Sequence, residues 1–317
     1  MSISCIKRKL NQYRQKNGKE RKMKIDIIEA CTDMGLVMTG AKEGPQALIE
    51  ELKEVKDKIH KISIVNAEDE KKETGNGKLK NLGSVNRFNE KLYQEVLSSV
   101  TNDHLPITIG GDHSLAVATA LASIKQYEKM GIIWVDAHTD FNTSQTTVTG
   151  NIHGLPLAVI TRFLEDDEIL SKFHTGNYYL PQNTVVVGAR SVDFPGEVHN
   201  VEEANIHNLD KNRIKNCKIE QVMEEAFQYA SDGTNGVHIS LDLDVIDPEA
   251  APGVSVPEKD GMSVQDFEKV VEMVIKNKEI IRSIDLVEYN PLRDLDKKTL
   301  MIAKQALIRL INAFSES

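Results

Sequence analysis

The sequence predicts an α/β protein built on a mostly parallel sheet with helices over both faces. Three observations predict it. From Lys24 onward, short apolar runs alternate with longer stretches of helical pattern, and such alternation yields a parallel sheet buried on both sides. Five of the apolar runs lead into carboxylates or imidazoles, and sheets of this kind bind ligands at the carboxyl ends of their strands. The chain of 317 residues is 40% hydrophobic and 5% aromatic. That is enough to bury a sizeable core, and no apolar run approaches the ~18 residues of a membrane span.

Taken in order, strands are expected at 24–29, 61–65, 105–109, 131–135, 184–188, 204–208, 236–241 and 281–287. Helices are expected at 45–59, 87–101, 114–129, 155–165, 217–230, 264–277 and 296–313. Pro45 suits the first turn of a helix, where its missing N–H costs nothing. Ile132-Ile133-Trp134-Val135 is a short apolar run of the kind found in buried strands. Leu300, Ile302, Ala303, Ala306, Leu307, Leu310 and Ile311 form one helical stripe. Residues 66–82 form a polar, charged loop too short to divide domains, and there is no internal repeat.

Charge divides the chain unevenly. Residues 1–24 are net +8, while the whole chain is net −9, so the body is strongly acidic and unsuited to nucleic acid. The basic head lacks the 7–15-residue apolar core of a signal peptide. The expectation is a disordered basic extension over 1–23, with Met23 as a candidate true start, followed by one domain over 24–317. Cys5, Cys31 and Cys217 are odd in number and scattered, which points to a reducing, cytoplasmic setting rather than a disulfide framework.

The chemistry gathers at the strand ends. After 105–109 comes Gly110-Gly111-Asp112-His113-Ser114, and after 131–135 comes Asp136-Ala137-His138-Thr139-Asp140. After 184–188 comes Ala189-Arg190-Ser191-Val192-Asp193. The strand at 236–241 runs into Asp242-Leu243-Asp244, and 281–287 into Glu288-Tyr289-Asn290-Pro291. Alternate side chains of extended backbone share a face, so D-x-H-x-D and D-x-D aim their ligands together. His113, Asp136, His138, Asp140, Asp242 and Asp244 are too many for one tetrahedral zinc. They suit two divalent ions sharing carboxylates, with room for a bridging hydroxide. Paired ions of that kind activate water and clamp the attacked group, which makes metal-assisted hydrolysis the reaction class.

GGDHS, DAHTD, TGNIHG, SLDLDVIDP and VEYNP together resemble the ureohydrolase family and, within it, the arginases, from about Lys24 to the last helix. The resemblance implies a three-layer α/β/α fold with an eight-stranded parallel sheet. It implies a site for two Mn2+, or another divalent metal such as Co2+, that hydrolyses L-arginine to L-ornithine and urea. It also implies a trimer or hexamer. Carried onto this sequence, Asp136 and Asp242 bridge both metals, His113 and Asp140 complete one, and His138 and Asp244 the other. Asp140 also accepts a hydrogen bond from the bridging hydroxide. Glu288 faces the guanidinium and His153 shuttles a proton. Asn142 and Thr149 hold the substrate carboxylate, with Thr147 and Asn151 nearby. Asp193, helped by Glu197, reads the α-amino group.

The sequence departs from the family pattern in three places. Ser255-Val256-Pro257 stands where arginases have Gly-Thr-Pro, which removes a hydroxyl near the guanidinium end. Thr149 stands where serine is common. Phe194 is inserted in the D-P-G-E run, which weakens the assignment of Glu197. Agmatinase, guanidinobutyrase and formiminoglutamase are the alternative activities, and the T-G-N-I-H-G run with Asn142 favours arginase over them. A one-zinc deacetylase and a non-catalytic relative are disfavoured by the complete ligand set. Asp112 and Asp247 are expected to be structural, as are His60, His104, His174, His199, His207 and His238. Gly110-Gly111 is ascribed to close approach of backbone to the metal pocket.

Overall fold

The structure is a computed structural model that describes residues 23–67, 78–164, 169, 176–191 and 194–315. The basic head up to residue 22, most of the expected polar loop and Asp193 lie outside the described residues.

Eight strands form one sheet: β1 (Ile25–Cys31), β2 (Ile59–Asn66), β3 (Leu105–Gly110), β4 (Gly131–Val135), β5 (Thr184–Val187), β6 (His207–Leu209), β7 (Val237–Asp242) and β8 (Ile281–Val287). Their order is β2-β1-β3-β8-β7-β4-β5-β6, and every pairing is parallel. The chain lays β1 to β3 on one side and β4 to β6 on the other, and β7 and β8 return to fill the gap. The four middle strands are therefore β3, β8, β7 and β4. These are the strands whose ends carry His113, Glu288, Asp242 and Asp136.

Helices α1 (Gly44–Ile49), α2 (Leu82–Thr101), α3 (Ala116–Tyr127), α4 (Pro156–Ile160), α5 (Pro195–Ala204), α6 (Lys211–Asn216), α7 (Ile219–Ser231), α8 (Val264–Lys276) and α9 (Lys298–Ser315) connect and cover the sheet. On one face, Ile107, Ile133, Ile239 and Ile284 pack with residues of α7, α8 and α9, such as Met223, Val270 and Leu307. On the other, Ile132, Trp134 and Val186 pack with α3 and α4 through Leu121 and Val159. The eight-stranded three-layer arrangement implied by the resemblance is present. Among the described residues, no helix is long and apolar enough to cross a membrane.

Several boundaries differ from expectation for physical reasons. The helix expected over 45–59 ends at Ile49, and a 3-10 segment spans Lys53–Lys58. Residue 59 is taken by the sheet, where Ile59 pairs with Ile25. Helix α5 was not expected, although Pro195 stands in its first turn. It runs through Ala204, so β6 begins three residues later than expected. Helix α6 also escaped the sequence reading, although the Asp210 side chain caps it by accepting from the Arg213 N–H at 2.9 Å.

Candidate metal centre

The polypeptide turns sharply after each middle strand, and the turns place the ligands. A Cβ on Gly111 would lie 1.7 Å from the Thr32 carbonyl oxygen. The glycine is therefore required by contact with the end of β1, not by the metal pocket as the sequence suggested. Asp112 then caps the 3-10 turn His113–Leu115 and accepts from the Ser114 and Gly35 N–H groups, both at 3.0 Å. This is the structural role expected of it. Asp140 and Glu288 both hold left-handed backbone, with φ of 47° and 65°. Such strain in non-glycine residues persists only where the surroundings enforce it, often at functional sites.

The six predicted ligands converge. His113 Nδ1 lies 3.0 Å from Asp136 Oδ2, 3.0 Å from Asp242 Oδ2 and 3.3 Å from Asp140 Oδ2. His138 Nδ1 lies 3.0 Å from Asp244 Oδ2 and 3.4 Å from Asp136 Oδ1. Asp136 thus turns one oxygen to each imidazole and belongs to both groups. The four aspartates are all buried, and their ion-pair partners among the described residues are histidines. Backbone N–H groups also hold one oxygen each of Asp136, Asp242 and Asp244. The His138 N–H donates to Asp136 Oδ1 at 2.6 Å, that of Asp244 to Asp242 Oδ1 at 2.8 Å, and that of Ala137 to Asp244 Oδ1 at 3.2 Å.

The donor set fits two divalent ions. His113 Nδ1 is buried and makes no hydrogen bond, although three carboxylates surround it. Its Nε2 lies 2.8 Å from Ser240 Oγ. A proton on Nε2 leaves the Nδ1 lone pair pointing at those carboxylates, an arrangement a cation would satisfy. The electrostatics agree. Burial and the Asp136 charge push the Asp140 carboxyl up to about 7. Burial, with Asp244 and Asp136, pushes Asp242 well up as well. Burial opposes charge on His113, yet the surrounding carboxylates raise it well above the usual imidazole value. The pocket holds more negative charge than these side chains can carry ionised on their own.

Glu288 and His153 adjoin the centre. Glu288 Oε1 accepts from the His113 N–H at 3.0 Å and lies 3.3 Å from His153 Nδ1. Its Oε2 is buried without a hydrogen-bond partner. Burial disfavours charge on His153, but Glu288, Asp140 and Asp112 raise its pKa overall.

The expected substrate-binding residues are placed unequally. Glu197 folds back onto the ligand loop. It accepts from Thr139 Oγ1 at 2.5 Å, from the Phe141 N–H at 3.0 Å and from Asn142 Nδ2 at 2.5 Å. The inserted Phe194 does not carry it away from the site. Thr147 Oγ1 accepts from the Gly150 N–H at 3.0 Å. Thr149 is exposed and accepts from the Asn151 N–H at 3.1 Å, and Lys80 Nζ donates to Asn151 Oδ1 at 3.3 Å. Val256 is partly buried beside Ser255, which accepts from Asn290 Nδ2 at 3.3 Å.

Sequence reasoning missed three supporting residues. Ser240 orients His113, and its signal was the polar alternation His238, Ser240, Asp242 along a buried strand. Trp134 stacks on His113 with ring centres 3.9 Å apart and donates to Asp136 Oδ2 at 2.8 Å. Arg190 is buried, and its guanidinium donates to the carbonyls of Asp244, Val245, Glu258 and Lys259 at 2.7–3.1 Å. It ties the Asp244 turn to the segment bearing Glu258, whose Oε1 lies 3.7 Å from His138 Nε2.

Comparison with known proteins identifies relatives. A profile of the arginase family matches residues 23–312. The arginase of Bacillus caldovelox is 37% identical over 290 residues, covering 88% of this chain and 95% of its own length. The arginase of Bacillus subtilis is 36% identical over 280 residues, covering 87% and 93%. The solved structure of the Bacillus caldovelox arginase superposes with a TM-score of 0.83 at 34% identity, covering 91% of this chain and 98% of that one.

Proposed function

The chain belongs to the arginase family, and on that premise we propose that it hydrolyses L-arginine to L-ornithine and urea. The observation that carries this reading is Asp136, whose two oxygens face His113 and His138 separately, as a carboxylate shared by two ions must. His113, Asp136, Asp140 and Asp242 would hold one ion, and His138, Asp136, Asp244 and Asp242 the other. Two bound divalent cations would supply an activated water at neutral pH and a clamp on the attacked carbon. Manganese is the native metal in this reading and cobalt a substitute. Manganese binds weakly in the divalent series, so supply decides.

The chain's own residues supply the rest. The partnerless Glu288 Oε2 accepts from the guanidinium in a charge-assisted bond. His153, held by Glu288, gives a proton to the departing amine as the guanidinium carbon–nitrogen bond breaks. Asp140 accepts from the attacking water. Thr147, Thr149, Asn151 and Asn142 line the approach of the α-carboxylate, and reading of the α-amino group is assigned to Asp193. Glu197 acts through Thr139 and Asn142. The enzyme works in the cytoplasm as a trimer or hexamer, which sedimentation of the purified protein would test. The functional test is urea release from arginine, agmatine, guanidinobutyrate and formiminoglutamate at full metal loading. Arginine should be turned over with the highest kcat/KM. A clear preference for any of the other three would overturn the assignment.

A further inference from the structure

A second cluster of ligand-type side chains lies at the opposite edge of the sheet from the metal centre, at the amino ends of β1, β2 and β3. Asp26 is the second residue of β1, His60 the second of β2, and His104 immediately precedes β3. Asp26 Oδ1 lies 2.8 Å from His60 Nδ1, and Asp26 Oδ2 lies 2.9 Å from His104 Nδ1. One oxygen or nitrogen from each of the three residues falls within 4.8 Å of the others. Ser99 Oγ donates to Asp26 Oδ2 at 2.9 Å, and the imidazole rings meet edge to face with centres 4.5 Å apart.

The backbone is adapted to this meeting. Ile25 pairs with Ile59, but Asp26 pairs with Lys61, so His60 is the extra residue of an irregularity in the β1–β2 ladder. A bulge of this kind re-aims a side chain, and here it coincides with His60 reaching Asp26. Asp26 is buried, His104 mostly so, and the His60 side chain is 39% exposed. The cluster therefore has a supported inner ligand and an outer one open to solvent. Nitrogen–oxygen separations of 2.8–2.9 Å are close to the 3.0–3.4 Å found within the metal centre itself. Burial raises the Asp26 carboxyl, but hydrogen bonds from His60, His104 and Ser99 outweigh it, and the group is held below the usual carboxylate value. It stays ionised, as a ligand must.

We infer that Asp26, His60 and His104 form a third divalent-metal site, of the zinc type, that ties the edge strand β2 to β1 and β3. Two imidazoles and one carboxylate, with a position left for water, are a ligand set suited to zinc. Six ligand side chains, four aspartates and two histidines, suit the paired site. This smaller, neutral-nitrogen-rich set selects a single borderline ion. Its role is to clamp an edge strand, since no reacting group lies beside it among the described residues.

The test uses the holoenzyme loaded with manganese, exposed to one equivalent of Zn2+ per chain and desalted, with both metals counted by elemental analysis. Wild type should carry about one zinc per chain with its two manganese ions retained. His60→Ala changes a half-exposed side chain, so it should fold and keep its urea release. It should retain manganese and hold at least tenfold less zinc. His104→Asn should do the same, and zinc should raise the Tm of wild type alone. Zinc bound equally by His60→Ala and wild type would overturn the inference. So would zinc that enters only as manganese leaves, or a wild type that binds none.

Discussion

At the level of single residues, function turns on which side chain faces which charge. His138 supplies the only imidazole expected at the second ion, so His138→Ala should empty that position and abolish most urea release, with metal content measured alongside. Asn142 was expected to discriminate arginine from agmatine by donating to the α-carboxylate. The structure adds Glu197, whose Oε2 already accepts from the Asn142 amide. In Asn142→Asp two carboxylates would face each other at about 4 Å or less, a repulsion of roughly 1–4 kcal/mol between surface-like and watery dielectric. That loss falls on both substrates. Adding Glu197→Gln should recover agmatine hydrolysis while arginine hydrolysis stays at least tenfold down. Recovery of both together would show that Asn142 positions the loop and does not read the carboxylate. Val256→Thr should lower KM for arginine by an amount near one hydrogen bond, ~1 kcal/mol. An unchanged KM would place that hydroxyl outside the substrate's reach.

At the level of elements, the turns after β3, β4, β7 and β8 hold the site, and they depend on contacts the sequence does not announce. Arg190 bonds four carbonyls on two segments, which lysine cannot do with one ammonium. Arg190→Lys should cost about 1–3 kcal/mol of stability and weaken the ion nearer His138 more than its neighbour, readable by metal titration. Gly111→Ala forces a methyl against the Thr32 carbonyl and should cost about 1–3 kcal/mol or more. The meeting of these carboxylates and imidazoles was legible in the sequence, because D-x-H-x-D and D-x-D follow apolar runs and a strand's period of two fixes their facing. The eight strands were legible for the same reason. Arg190, Trp134 and Ser240 were less so, because their partners come from strands and loops up to 127 positions away. Helices α5 and α6 were missed since each is short and covered in charge, with only a proline and a capping aspartate to mark it. The return of Glu197 onto the Asn142 loop was not legible, because an insertion in a loop motif says nothing about where the loop folds back.

At the level of the whole molecule, the sheet order brings four strands from distant parts of the chain together, and the ends of β4 and β7 gather four buried aspartates. That concentration opposes folding until cations neutralise it. Removing metal with a chelator should lower the Tm, and restoring it should add about 2.7 kcal/mol per ion when free metal is a hundredfold above Kd. At the far edge, Asp26 has a depressed carboxyl, so its contribution to stability is present above the ordinary aspartate range and is lost as pH falls through the folded value. The stability difference between wild type and Asp26→Asn should therefore shrink on acidification below pH ~4. In this reading one active site holds two ions through a shared Asp136. The decisive measurement is a titration of metal-free protein with Mn2+ that follows bound metal and urea release from arginine together. Full activity should be reached at two ions per chain. Full activity at one ion per chain, or two ions bound with no urea released, would contradict it.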